Sequence, residues 1–149
     1  NMTVTNTSDN GTGIYINNAA VELVDVAVKG YGRDGLVIQS SHSESTVVAT
    51  RCEFANSRLG ALVGGSLTSA TFNNCVFNDN STSGIFVSIK ATIHLHGEAT
   101  AIHSNREYGI AAYQSAKVIL HLPSHHNTSY NNGQDRNTLV GGTITNVED

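Results

Sequence analysis

Gly13-Ile14-Tyr15-Ile16, Gly35-Leu36-Val37-Ile38, Gly60-Ala61-Leu62-Val63, Gly84-Ile85-Phe86-Val87 and Gly109-Ile110-Ala111-Ala112 are five copies of one phrase, a glycine followed by a short apolar run. The glycines stand 22, 25, 24 and 25 residues apart. A weaker sixth copy is read at Leu139-Val140. After each phrase come a polar stretch, an alternating segment, a short turn and a second alternating segment. Cys52-Glu53-Phe54-Ala55-Asn56 and Cys75-Val76-Phe77-Asn78-Asp79-Asn80 show that last segment best. Asn56, Asn80 and Asn105 each stand four residues before the next glycine. Asparagine tolerates left-handed backbone and bonds its neighbours' backbone, so a recurrent Asn suits a tight corner. Three period-two strands per repeat, with Gly and Asn between them, describe one coil of a solenoid. A helical repeat of this length needs apolar spacings of three and four over ten or more residues, and a leucine-rich repeat needs Leu at fixed places. Neither pattern is present.

The repeat resembles that of the right-handed parallel β-helix proteins of the pectin-lyase-like superfamily, over roughly Gly13 to Asn132. The resemblance implies an all-β chain, a right-handed parallel β-helix solenoid of five to six coils with about 22–25 residues per coil. Residues 1–149 then form a single domain. Function is implied only broadly. Polysaccharide lyases, hydrolases and epimerases, phage tailspikes and non-catalytic modules share this fold, and a fold alone does not choose among them.

Composition narrows the choice. Charged residues are 13% of the chain and the formal charge is -4, which argues against a nucleic-acid partner. A hydrophobic share of 39% with one proline argues against disorder. No apolar run is long enough for a membrane-spanning helix. Two cysteines are too few for a disulfide framework. Sequons begin at Asn1, Asn6, Asn10, Asn80 and Asn127. They leave the compartment undetermined, with an extracellular setting the favoured one. Asn1 reads as a cut end, and no capping helix is read at either terminus, so the expectation is an excised piece of a longer β-helix or one that self-associates at uncapped ends.

Within a coil, side chains alternate between interior and solvent, and equivalent residues on successive coils stack about 4.8 Å apart. The alternation sends Ile14, Leu36, Ala61, Ile85 and Ile110 inward on the first strand, and Cys52, Phe54, Cys75 and Phe77 inward on the third. Burying each large side chain contributes about 1.5–3 kcal/mol. Cys52 and Cys75 fall in one inward column, where two buried thiols are favoured over a bridge, because parallel neighbours point the same way.

The outward columns carry the candidate contacts. The first strands read Tyr15, Val37, Leu62, Phe86, Ala111, and two residues on, Asn17, Gln39, Gly64, Ser88, Tyr113. Neither column holds a charge. Glycoside hydrolysis needs paired carboxylates, and the clustered Asp or the Arg, Lys and calcium-binding acids of the family's enzymes have no counterpart here. An apolar ladder reads as a contact with a protein or a polysaccharide, Tyr15, Phe86 and Tyr113 being able to stack on sugar rings.

Six of the seven histidines lie between His94 and His126. In Ile93-His94-Leu95-His96 the two imidazoles point outward together, and His121 should stack one coil above His96. His94, His96 and His121 are therefore candidate ligands for a transition metal. No resident cofactor is called for. Ser124 to Gln134 departs from the repeat and reads as an inserted loop offering Tyr130, His125 and His126. Arg33 and Arg58, each two residues before a glycine, read as a solvated rim.

The leading reading is a non-catalytic recognition or scaffold module using its first-strand face: Tyr15, Val37, Leu62, Phe86 and Tyr113, with Tyr130 on the loop. A fragment of a carbohydrate-active enzyme and a structural stalk are the alternatives.

Overall fold

The computed structural model describes residues 1–6 and 9–147. Thr7 and Ser8 of the Asn6 sequon, and Glu148 and Asp149 at the C-terminus, lie outside the described residues.

The described chain is all-β, with eighteen strands in three parallel six-stranded sheets. The first-strand sheet contains β2 (Ile14–Asn17), β5 (Asp34–Gln39), β8 (Leu59–Gly64), β11 (Ser83–Ser88), β14 (Tyr108–Tyr113) and β17 (Gln134–Leu139). The second-strand sheet contains β3 (Ala20–Val24), β6 (Ser45–Thr50), β9 (Thr68–Asn73), β12 (Thr92–His96), β15 (Lys117–Leu120) and β18 (Thr143–Asn146). The third contains β1 (Met2–Thr5), β4 (Val26–Lys29), β7 (Glu53–Ala55), β10 (Val76–Asn78), β13 (Ala101–His103) and β16 (Ser129–Tyr130). Each strand pairs with its counterparts one coil before and after, so the chain is a parallel β-solenoid of about six coils.

The glycine column has a steric cause. A Cβ on Gly60 would come within 2.5 Å of the Gly84 carbonyl oxygen, and one on Gly84 within 2.8 Å of that of Gly109. The backbones of successive coils approach too closely there for any side chain. The sixth copy was expected at Leu139-Val140, but β17 starts earlier, at Gln134. Asp135 takes the glycine's place, and Arg136 lies in register with buried Ile110. The apolar alternation that marks the other copies is lost in this coil.

The corners before β11, β14 and β17 hold an asparagine ladder of Asn80, Asn105 and Asn132. Asn105 Oδ1 accepts from the backbone N–H of Asn80 at 3.1 Å and from its Nδ2 at 2.9 Å. Asn132 Oδ1 does the same for Asn105, at 3.0 and 2.9 Å. Each amide also donates to a third-strand carbonyl of the preceding coil, as from Asn105 Nδ2 to the Phe77 carbonyl at 3.1 Å. Asn56 does not join this column. Ser57 does, its backbone N–H donating to Asn80 Oδ1. Asn56 instead takes the left-handed corner position, with φ of 53°, equivalent to Asp79 and Ser104.

The interior is one continuous apolar column. Phe54, Phe72 and Phe77 are fully buried at its middle. Phe54 and Phe77 stack at 5.1 Å, and Phe72 meets both edge-on. Cys52 and Cys75 are free and buried in the same column. The neighbouring Cys52 sulfur and burial push the Cys75 thiol well above its ordinary range, which keeps it a thiol.

Candidate functional site

The first-strand face is uncharged along its outward columns, but only part of its ladder is accessible. Tyr15 is 59% exposed, and its hydroxyl donates to Gln39 Oε1 at 3.1 Å. Leu62, Phe86 and Tyr113 are half-buried. Phe86 meets Tyr113 edge-to-face at 5.0 Å, and Asn137 Nδ2 donates to the Tyr113 hydroxyl at 2.8 Å. Val37, expected among the contact residues, is only 5% exposed, and Ala111 is fully buried. Strand parity fixes which side of a sheet a residue faces, while exposure depends on the size of its neighbours. Val37 stands in register between Tyr15 and Leu62. It offers little surface of its own to a partner.

A groove of about 370 Å³ opens on the same face. Leu62, Gln39, Ser40, Ser88 and the exposed Ile89 line it. Gly64 and Gly65 bring no side chains to this stretch, and Gly65 adopts a φ of 108° that favours glycine. The sequence reading gave the apolar ladder but not the groove, whose signal is the Gly64-Gly65 pair.

Charge collects elsewhere. Arg51 and Asp25 pair at 2.8 Å, and Lys29 and Glu53 at 2.8 Å, along the third-strand side. Arg58, expected on a solvated rim, grips the buried Asp34 through Nε and Nη2 at 2.9–3.2 Å. A hollow of about 410 Å³ beside it mixes Arg58 with Asp9 and Asp79.

The second-strand sheet carries the histidines. Ile93, Leu95, Val118 and Leu120 are fully buried, so the alternate residues of β12 face out. The His121 N–H donates to the Leu95 carbonyl at 2.8 Å, which carries the parallel ladder one step past β15. That places His121 beside His96, with rings 4.0 Å apart and 8° from parallel. The His94 ring lies 5.1 Å from that of His121, and His94 Nδ1 meets His121 Nε2 at 2.8 Å. All three are half-buried, and one ring nitrogen from each lies within 4.8 Å of the others. Burial, and then the charge of His121, hold His94 below the usual imidazole range.

His125 is exposed and stands apart from this group. His126 places Nδ1 at 2.8 Å from Thr128 Oγ1 and Nε2 at 3.0 Å from the Glu98 carbonyl. Tyr130 is on neither the first-strand face nor a free loop. It lies in β16, in register with His103, and stacks on that ring at 5.2 Å. The irregular stretch stops at Thr128, because the backbone rejoins the third sheet at Ser129.

The family model described as the right handed beta helix region matches residues 12–148, and the chain belongs to that family. No curated protein and no solved structure matches the chain. Among the described residues no helix is long and apolar enough to cross a membrane.

Proposed function

We propose that this β-helix is a non-catalytic recognition module whose first-strand face binds a neutral polysaccharide. One observation carries the reading: the groove is lined by amide, hydroxyl and apolar groups with no charged side chain, and aromatic rings stand on the same sheet face. Tyr15, Phe86 and Tyr113 supply the rings, while Gln39, Ser40 and Ser88 supply the hydrogen-bonding groups. Sugar rings present apolar C–H faces rimmed by hydroxyls. They match flat aromatic surfaces beside uncharged donors and acceptors. A rigid solenoid repeats such groups at strand spacing, which suits an extended polymer.

The test is retention on a panel of neutral and acidic polysaccharides by affinity electrophoresis, with release of new chain ends followed in parallel. Neutral polymers are expected to retard the chain without being cleaved. Tyr15→Ala, at an exposed ring, should weaken retardation while leaving thermal unfolding nearly unchanged. Phe86→Asp should abolish retardation, with its melting curve read in parallel because the ring also packs on Tyr113. Retardation by acidic polymers alone, retardation unmoved by both variants, or capture only by another protein would each overturn the reading.

A further inference from the structure

We propose that His94, His96 and His121 form a three-histidine binding site for a divalent transition metal of the zinc class. The site lies on the second-strand sheet and is independent of the first-strand face.

The fold places these imidazoles together for a simple reason. Residues two apart on a strand share a face, and residues on adjacent coils stand about 4.8 Å apart. His94 and His96 satisfy the first relation, and His96 and His121 the second. The buried Ile93, Leu95, Val118 and Leu120 hold both backbones, so all three rings project from fixed points.

The nitrogens converge more closely than ordinary ring stacking requires. His94 Nδ1 and His121 Nε2 approach to 2.8 Å, a contact possible only when at least one of them presents a lone pair. Two imidazolium rings would repel each other at this distance. A metal ion replaces the shared proton as the group that both lone pairs face. Zinc–nitrogen bonds of about 2.0–2.1 Å in a tetrahedron set ligand atoms about 3.3 Å apart. The His94–His121 pair therefore opens by a fraction of an ångström, and the His96 nitrogen, within 4.8 Å of the others, moves in to meet the ion by side-chain torsion.

The donor set selects the ion. Three imidazoles suit Zn²⁺, Co²⁺, Ni²⁺ and Cu²⁺, whereas Ca²⁺ and Mg²⁺ require oxygen ligands. Three protein ligands leave a fourth position open. The rings are only half-buried, so that position faces solvent and is filled by water or by a ligand from a partner molecule.

The experiment is titration of the chelator-treated chain with Co²⁺ and then Zn²⁺, followed by visible absorption and calorimetry. One equivalent of Co²⁺ is expected to bind with the intense visible bands of a four-coordinate site, and Zn²⁺ to displace it. His96→Ala and His121→Ala should each weaken binding roughly tenfold or more and remove the bands. His125→Ala should leave both unchanged. Metal-free melting curves of the variants separate ligand loss from unfolding. If His121→Ala alters that curve, His94→Gln repeats the measurement at a ligand held on the other strand. Absence of stoichiometric binding overturns the site. So does binding unmoved by His96→Ala and His121→Ala, or lost only on changing His125.

Discussion

The middle coils and the sixth coil share one backbone pattern but fill it differently. Along the first strands, one inward place runs Ala61, Ile85, Ile110 and then Arg136, and the next runs Val63, Val87, Ala112 and then Thr138. Along the second strands, Phe72, Leu95 and Leu120 give way to Asn146, and only Ile144 keeps the apolar pattern. Ile144 packs against the core, while Arg136 is half-buried and Thr138 exposed. Partial burial lowers the Arg136 pKa from its ordinary value, against the pull of adjacent Asp135. The comparison separates two contributions. Parallel backbone hydrogen bonds set the register in every coil, while apolar filling varies independently: the first coil keeps Ile14, Ile16, Val21 and Leu23 against the core, and the sixth keeps only Ile144.

Four substitutions break or sharpen this contrast. Phe77→Ala removes a fully buried ring stacked on Phe54 and edge-on to Phe72, and should cost about 3–5 kcal/mol in urea unfolding. A loss under about 1 kcal/mol would mean that the middle coils do not unfold as one cooperative unit. Asn105→Ala leaves the Asn80 N–H without its buried acceptor, and should cost about 1–3 kcal/mol. Asn132→Ala, at a half-buried rung nearer the sixth coil, should cost less, and equal losses would show that the ladder strengthens every coil alike. Arg136→Ile restores the apolar pattern of the sixth first strand, and should shift stability by about 0.5 kcal/mol or less. A cost comparable to that of Phe77→Ala would place the sixth coil inside the cooperative core.

The same contrast explains how far the sequence could be read. The five glycine phrases were legible because backbone contact forbids a side chain there, and the alternation was legible because Ile, Val, Leu and Phe fill the inward places. The sixth first strand was not, since Asp135, Arg136 and Thr138 erase both signals. Counting back four residues from glycine placed Asn56 with Asn80 and Asn105. That corner is one residue out of step, so Ser57 bears the ladder contact instead. The histidine group could be read from a two-residue spacing plus a one-coil spacing. The shallow exposure of Val37 and the groove beside Gly64 could not, because both depend on the bulk of residues on neighbouring coils. Tyr130 was misplaced because a two-residue strand gives too short an alternation to recognise.

The corner between second and third strands changes size along the stack. It is short between Asn73 and Val76, longer from His96 to Ala101, and longest from Leu120 to Ser129. Pairing resumes in register after each of them. This corner is therefore the place where the molecule can be edited. Peptides inserted after Ser124 would be displayed beside the three imidazoles, with the interior left as it is.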